Sequence, residues 1–349
     1  MEMNVALLKE ICEVPGVPGF EQRIREVVLR EVTPLVDEVR VDRMGNVIAV
    51  KKGSAPQPQK IMVAAHMDEI GFIVKHIDEK GFIHFHPLGG FDPKTLTAQR
   101  VIVHGKEDVI GVMGSKPIHI MTPEERKKNP EIKDYFIDLG MPREEVLKVV
   151  SVGDPISRER QLIQMGHCVN CKSIDNRVSV FILIEALRQM AAPADDVYAV
   201  FTVQEEVGIR GAMVATHGID PDFGLGLDTT IAFDTPGAQP QEMVTELGKG
   251  VAIKIMDASA ICDPRMVRFL RQTADRHQIT WQNEVLTAGG TDTAGIQRMS
   301  TQGCIVGALS IPTRHIHQVI EMADTRDIRG TIDLLSAALV TLPEYDWNH

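Results

Sequence analysis

Residues 61–68 read Ile-Met-Val-Ala-Ala-His-Met-Asp, five uninterrupted apolar residues followed by a histidine and, two positions on, an acid. An apolar run of that length without polar alternation is the pattern of a strand buried on both faces, the interior of a parallel sheet. The polar residues sit just beyond its carboxyl end, where open α/β sheets build their crevices. The arrangement recurs downstream. Residues 197–203 precede Glu205-Glu206, residues 223–227 precede Asp228, and residues 304–309 lead into a loop that carries His317.

Helical patterns lie between these runs. Ile24, Val27, Val28 and Val32 recur at helical spacing within 21–32, residues 177–192 form a long apolar helix, and 208–217 also reads as helical. Asp263-Pro264 places a capping residue before a proline suited to the first turn, opening a helix to about His277. A last helix spans 325–342. Strands alternating with helices predict an α/β fold, with a mixed, mostly parallel sheet flanked by helices. Residues 39–41 and 47–50 flank Met44-Gly45-Asn46 as a hairpin. From Gly71 to about Gln161 the texture changes to short apolar runs (72–74, 82–86, 101–103, 109–112) broken by glycine, proline and charge. That stretch predicts an inserted small all-β domain over 71–161, with 122–133 a solvated loop or short helix. The principal domain then comprises 1–70 and 162–349.

The chain has 349 residues, 44% hydrophobic and 24% charged, the usage of a soluble globular protein with room for two domains. A formal net charge of −11 argues against a phosphate-backbone or anionic-membrane partner, so neither nucleic acid nor membrane is expected. The first residues lack a basic stretch followed by a long apolar core, so no secretory signal is read there. Five scattered cysteines (Cys12, Cys168, Cys171, Cys262, Cys304) do not make a disulfide framework. The reading is cytoplasmic.

Taken singly, each polar residue after a strand has a bland explanation: a His-x-Asp at a strand end, a solvated Glu-Glu pair, a capping Asp175 in Ser173-Ile-Asp-Asn-Arg177. Their convergence is what argues for chemistry, because several acids gathered near one strand edge repel unless a cation compensates them. Asp175, Glu206 and Asp228 supply three negative charges, and a bridging hydroxide a fourth, which balances two divalent cations. Imidazole and carboxylate ligands suit Zn2+, with Co2+ or Mn2+ also compatible. Such a pair activates a bridging water and polarises a carbonyl. Glu205 is then free to act as general base, passing the proton to a leaving amine. Asp68, read as lying on the same strand face as His66, is placed to hydrogen-bond the imidazole and fix its tautomer.

The set His66-Met-Asp68, Ile174-Asp-Asn-Arg177, Gln204-Glu-Glu-Val-Gly208, Leu227-Asp228 and Pro312-Thr-Arg-His-Ile-His317 resembles the dinuclear metallo-aminopeptidases of the tetrahedral and deblocking (leucyl/glutamyl) type, some of them labelled endoglucanases. The resemblance runs over essentially the whole chain. It implies one metal on His66 and Asp228, the other on Glu206 and His317, with Asp175 bridging, Glu205 as catalytic base and Asp68 as orienter. It also implies a co-catalytic zinc peptidase fold, short peptide substrates, and a PDZ-like insertion through which dimers form and build a homo-oligomeric dodecamer. One departure is local: His315 stands where the family usually has tyrosine, and the motif position favours His317 over it as ligand.

Other readings stay in view. An N-acyl amino acid deacylase would attack an amide at the same site. A glycoside hydrolase would need stacking platforms, and aromatics are only 5%. A non-catalytic binding protein would not need Glu205. Cys168-x-x-Cys171 has no second pair to complete a zinc site and reads as a strand. Gly289-Gly-Thr-Asp-Thr-Ala-Gly295 lacks the lysine of a phosphate loop, and reads as a substrate-contacting or helix-capping turn.

Overall fold

The structure is a computed structural model that describes residues 3–348; residues 1, 2 and 349, at the ends of the expected principal domain, lie outside the described residues. Lys60–His66 is a central strand of an eleven-stranded sheet. It pairs in parallel with Asp196–Thr202 on one side and Phe223–Ile231 on the other, and Phe223–Ile231 pairs in parallel with Ile305–Arg314. Beyond these four strands the direction reverses. Val47–Lys51 is antiparallel to Asp196–Thr202 and carries Glu38–Val41 as a hairpin partner. Val251–Met256 and Glu321–Asp324 both run antiparallel to Ile305–Arg314, and Cys168–Cys171 and Ile163–Met165 extend the sheet past Glu321–Asp324.

The expectation of a mostly parallel sheet is therefore corrected. The sheet is mixed, with parallel pairing in the central four strands and between Val251–Met256 and Trp281–Val285. The flanks are antiparallel because hairpin turns join several of those strands, and a short turn can only reverse the chain; a parallel neighbour needs a long crossover.

Alternation along the central strand splits its side chains between two layers. Ile61, Val63 and Ala65 pack in the larger core with helices Val5–Glu13, Gln22–Val32, Ile174–Gln189, Pro264–Arg276 and Thr325–Thr341. Met62 and Ala64 face a smaller core closed by Arg210–Ile219 and Asp292–Met299. On that second face Gly224 and Gly226 let the Asp292–Met299 helix lie against the sheet. A Cβ on Gly226 would come within 2.0 Å of Thr293 Oγ1.

The inserted region forms a closed barrel of six antiparallel strands: Gly71–Ile77, Ile83–Leu88, Tyr135–Asp138, Asp108–Ser115, Arg100–His104 and Pro155–Arg158. It has its own core, with Phe72, Val74, Ile83, Val101, Val103 and Ile156 among its members. Its outer surface keeps Ile110 and Val112 exposed. Arg143–Val149 departs from the all-β expectation, whereas a short helix within 122–133 is one of the two forms expected there. Pro123–Lys127 and Arg143–Val149 are short helices, the first held by a capping box in which Thr122 and Glu125 satisfy each other's backbone N–H. Among the described residues no helix is long and apolar enough to cross a membrane.

Candidate active site

The polar residues that follow the parallel strands meet at one edge of the sheet. His66 closes its strand, Asp228 lies within Phe223–Ile231, and Glu205 and Glu206 follow Asp196–Thr202. Asp175 and Asn176 leave helical φ/ψ, so the regular helix begins at Arg177 and Asp175 stands apart from it. The Asn176 side-chain amide donates to the Leu227 carbonyl at 2.8 Å, tying this break to the neighbouring strand. His317 comes from the turn after Ile305–Arg314, with φ of 57°. That left-handed conformation disfavours a side chain with a Cβ and needs its surroundings to hold it.

Two clusters result, each able to hold a metal ion. One is His66, Asp175 and Asp228; the other is Asp175, Glu206 and His317, with ligand atoms within 4.8 Å of one another in each. Asp175 belongs to both. Its Oδ1 lies 3.4 Å from His66 Nε2 and its Oδ2 3.2 Å from His317 Nε2. Asp228 Oδ1 is 3.7 Å from His66 Nε2, and Glu206 Oε2 is 3.5 Å from His317 Nε2. Glu205 stands outside both clusters, its Oε2 3.9 Å from His66 Nε2. His315 is exposed and in neither.

The surroundings fix these side chains. His66 Nδ1 lies 3.1 Å from the Asp68 carbonyl oxygen, and 3.6 Å from the Asp68 carboxylate. The expected carboxylate–imidazole hydrogen bond is thus replaced by a backbone one. The strand ends at His66, so the two-residue alternation that would place Asp68 beside it no longer applies. The Asp68 carboxylate instead accepts the N–H groups of Glu205 at 3.0 Å and Glu206 at 3.1 Å, orienting the pair. His317 Nδ1 lies 3.1 Å from the Gly90 carbonyl, and Glu321 accepts the Asp175 N–H at 2.8 Å.

Electrostatically the site is crowded with acids. Burial, reinforced by Asp228, Glu206 and Asp292, raises the Glu205 carboxyl well above its ordinary range, and burial with Asp175 and Asp68 nearby raises Glu206 to about 8. Burial also raises Asp228. Although burial opposes the imidazolium, Asp175 and Asp228 hold His66 well above its ordinary value, and Glu206 with Asp175 raises His317 to about 10. Asp175, against the penalty of its burial, is lowered by the two histidines. Buried Asp175 Oδ1 and Glu206 Oε1 have no hydrogen-bond partner. Buried carboxylates with unpartnered oxygens, set beside two imidazoles, form a donor set that fits divalent cations.

A cleft of about 510 Å³ opens over the clusters, with Ile209, Ile231, Leu286 and Ile316 in its walls and Gly289-Gly290-Thr291 along one side. The glycine-rich stretch therefore lines the cleft. Cys168 and Cys171 lie in a strand, and all five cysteines are free. Sequence reasoning missed Asp292, which is buried, hydrogen-bonded by Thr202 Oγ1 and raised by burial to about 7, although it stands inside the glycine-rich stretch singled out. It also missed Glu321 and Arg158, for which no linear signal exists.

The family described as M42 glutamyl aminopeptidase matches residues 45–334. Lysyl aminopeptidase of Pyrococcus furiosus is 36% identical, with 98% of each chain covered. The TET aminopeptidase of Thaumarchaeota archaeon SCGC AB-539-E09 superposes with a TM-score of 0.93 at 38% identity, over 97% of this chain and 96% of that one. The Pyrococcus horikoshii TET1 peptidase, which can assemble into a tetrahedron or a large octahedral shell, has a TM-score of 0.86 at 31% identity, over 96% of this chain and 98% of that one.

Proposed function

This chain belongs to the M42 glutamyl aminopeptidase family, a hydrolase acting on peptides, and from that premise we propose that it removes the N-terminal residue of short peptides at a pair of divalent cations. The observation that carries the reading is Asp175, which offers one carboxylate oxygen to the His66 cluster and the other to the His317 cluster. His66 and Asp228 would hold one ion, Glu206 and His317 the other, and Asp175 both. Zinc suits these ligands best, and cobalt or manganese would also fit. Such ions, when bound, supply an activated water and a polarised substrate carbonyl.

The chain's own groups do the rest. Glu205 lies outside both clusters but borders the cleft, where it can take a proton from the attacking water and deliver it to the departing amine. Its raised pKa suits a group that must hold that proton between the two transfers. Asp68, through the Glu205 and Glu206 amides, is a positioning residue. The apolar walls of the cleft would receive the side chain of the terminal residue. The barrel we read as a PDZ-like dimerisation unit, by way of its exposed Ile110, Val112, Ile118 and Ile120, with the dimers building a tetrahedral dodecamer such as its TET1 relatives form.

The test is a metal-stripped protein refilled with zinc, cobalt or manganese and offered free and N-blocked aminoacyl amides. Activity on free-amine substrates, restored near two metal equivalents, is expected. Turnover of blocked substrates alone would move the assignment to a deacylase, and full activity after exhaustive metal removal would overturn it.

A further inference from the structure

The two clusters differ in what supports them. His66 Nδ1 is held by the Asp68 carbonyl, and Asp228 Oδ1 by the Thr229 N–H, both groups of the main sheet edge. The His317 cluster instead leans on the barrel. Gly90, in the segment after the barrel strand Ile83–Leu88, offers its carbonyl to His317 Nδ1. Its neighbour Gly89, at φ 94°, passes so close that a Cβ there would stand 3.4 Å from Glu206 Cβ. One short segment thus packs against both Glu206 and His317.

A second barrel group reaches the same turn. Arg158 ends the barrel strand Pro155–Arg158, and its side chain is fully buried. Its Nη1 donates to the carbonyl of Gln318, the residue after His317, and lies 3.8 Å from Glu321 Oε1. The other oxygen of Glu321 accepts the Asp175 N–H. Arg158 Nε and Nη2 have no hydrogen-bond partner. A buried guanidinium with more than half of its donors unpaired is costly, and an apolar residue would pack there at less cost to stability. What the charge does provide is a fixed Gln318 carbonyl beside a left-handed His317, and a countercharge for the buried Glu321.

We infer that the barrel positions one half of the site: Gly90 and Arg158 hold the His317 turn so that the Asp175–Glu206–His317 cluster can bind its cation, while the His66 cluster draws its support from the sheet. The inference rests on the two-cation reading. It makes Arg158 and Gly90 positioning residues, acting through the turn that carries His317.

The experiment titrates the full-length, metal-stripped chain with Co2+, following its visible absorption and the bound metal by mass spectrometry. The wild type is expected to take up two equivalents. Gly90→Ala places a Cβ 3.3 Å from His317 Nδ1, and Arg158→Gln removes the guanidinium. Each is expected to keep one equivalent at wild-type affinity and to weaken the other by about 10–100-fold, the usual effect of displacing or losing the outer groups that orient a ligand. Arg158→Lys, which keeps the charge and a donor, should recover part of that loss. Thermal unfolding of each apo variant separates misfolding from the binding effect, and Gly90→Ala, at an exposed position, stands even if Arg158→Gln does not fold. Two unchanged equivalents in both variants, or equal weakening of both, overturns the inference alone. A wild type that binds no cobalt overturns it together with the reading beneath it.

Discussion

Replacing Glu69 by glutamine is expected to cost about 3–5 kcal/mol of stability at neutral pH, with almost no change of side-chain volume. Glu69 is fully buried next to Asp68. Both of its oxygens lie 2.5 Å from Lys172 Nζ, and its Oε1 accepts the Gly16 N–H at an N···O distance of 3.3 Å and lies 3.5 Å from Arg177 Nη2. Lys172 and Arg177 are buried as well, and Arg177 spends its other donors on the carbonyls of Ile11, Val14 and Met67. Glutamine would turn an amide donor toward one of these cations and remove the ion-pair partner that both share. That is the expensive way to break a buried pair.

The pH dependence has a definite sign. Burial already lowers the Lys172 pKa, with Glu69 opposing the shift, so removing Glu69 lowers it further. An amine with a depressed folded pKa binds fewer protons in the folded state than in the unfolded one. Stability of the variant therefore rises with pH until the unfolded lysine titrates near about 10.4, and the deficit narrows on the way. Urea midpoints at pH 7 and pH 9.5, followed by tryptophan fluorescence, read both effects. The pair Glu69→Gln/Lys172→Met removes one of the stranded cations and is expected to recover about 2 kcal/mol or more. A single-variant deficit under about 1 kcal/mol at pH 7, or a double variant no better than the single, would refute the reasoning.

Gly226→Ala puts a Cβ 2.0 Å from Thr293 Oγ1 and is expected to cost about 1–3 kcal/mol by lifting the Asp292–Met299 helix from the sheet. Gly218→Ala, in the helix Arg210–Ile219 with nothing within 4 Å of the new Cβ, is expected to stabilise by about 0.5–1 kcal/mol; the same sign for both in thermal melts would contradict the packing argument. Burial, with Asp68 nearby, raises Glu21 to about 7, above its unfolded value of about 4.3, so its ionised form opposes folding and stability falls as pH rises from about 4 to about 7. Glu21→Gln keeps an acceptor for the Gly19 and Gln204 N–H groups and should flatten that slope, which melting temperatures across the range will show. Glu205→Gln is expected to lower kcat by about 10²–10⁴-fold with metal uptake intact; wild-type turnover in that variant removes Glu205 from the proton transfer.

How far the sequence reached depended on where a residue's partner lay. Buried parallel strands announce themselves by unbroken apolar runs, and any charge at their ends stands out against that background. So residues 61–65, 197–203, 223–227 and 304–309 could be read as strands, and the acids and histidines beyond them as one group, although His66 and His317 are far apart in the chain. The Val251–Met256 and Trp281–Val285 strands carried no such mark, because lysine, glutamine, asparagine and glutamate interrupt their apolar residues. The Asp68 contact failed for a different reason. The reading carried strand geometry past the end of the strand, and a carbonyl rather than a carboxylate meets the imidazole.

The barrel's share in the site lies beyond any linear signal, and the reason is physical. A ligand carried by a buried strand inherits its direction from the sheet: His66 closes its strand as the pattern suggests, and Asp228, expected just past a strand end, lies inside a strand that runs on to Ile231. His317 has no such frame. It stands in a turn, at positive φ, after the strand that supports Asp228 has ended, and its orientation comes from whatever packs against that turn. Here the packing comes from Gly90 and Arg158, which lie more than a hundred residues upstream and belong to a unit with its own core. Residue type at position 158 therefore answers to two demands, closing a barrel strand and meeting the turn. The second accounts for an arginine whose guanidinium, over the Phe91 ring at 5.9 Å, reaches the Gln318 carbonyl and Glu321.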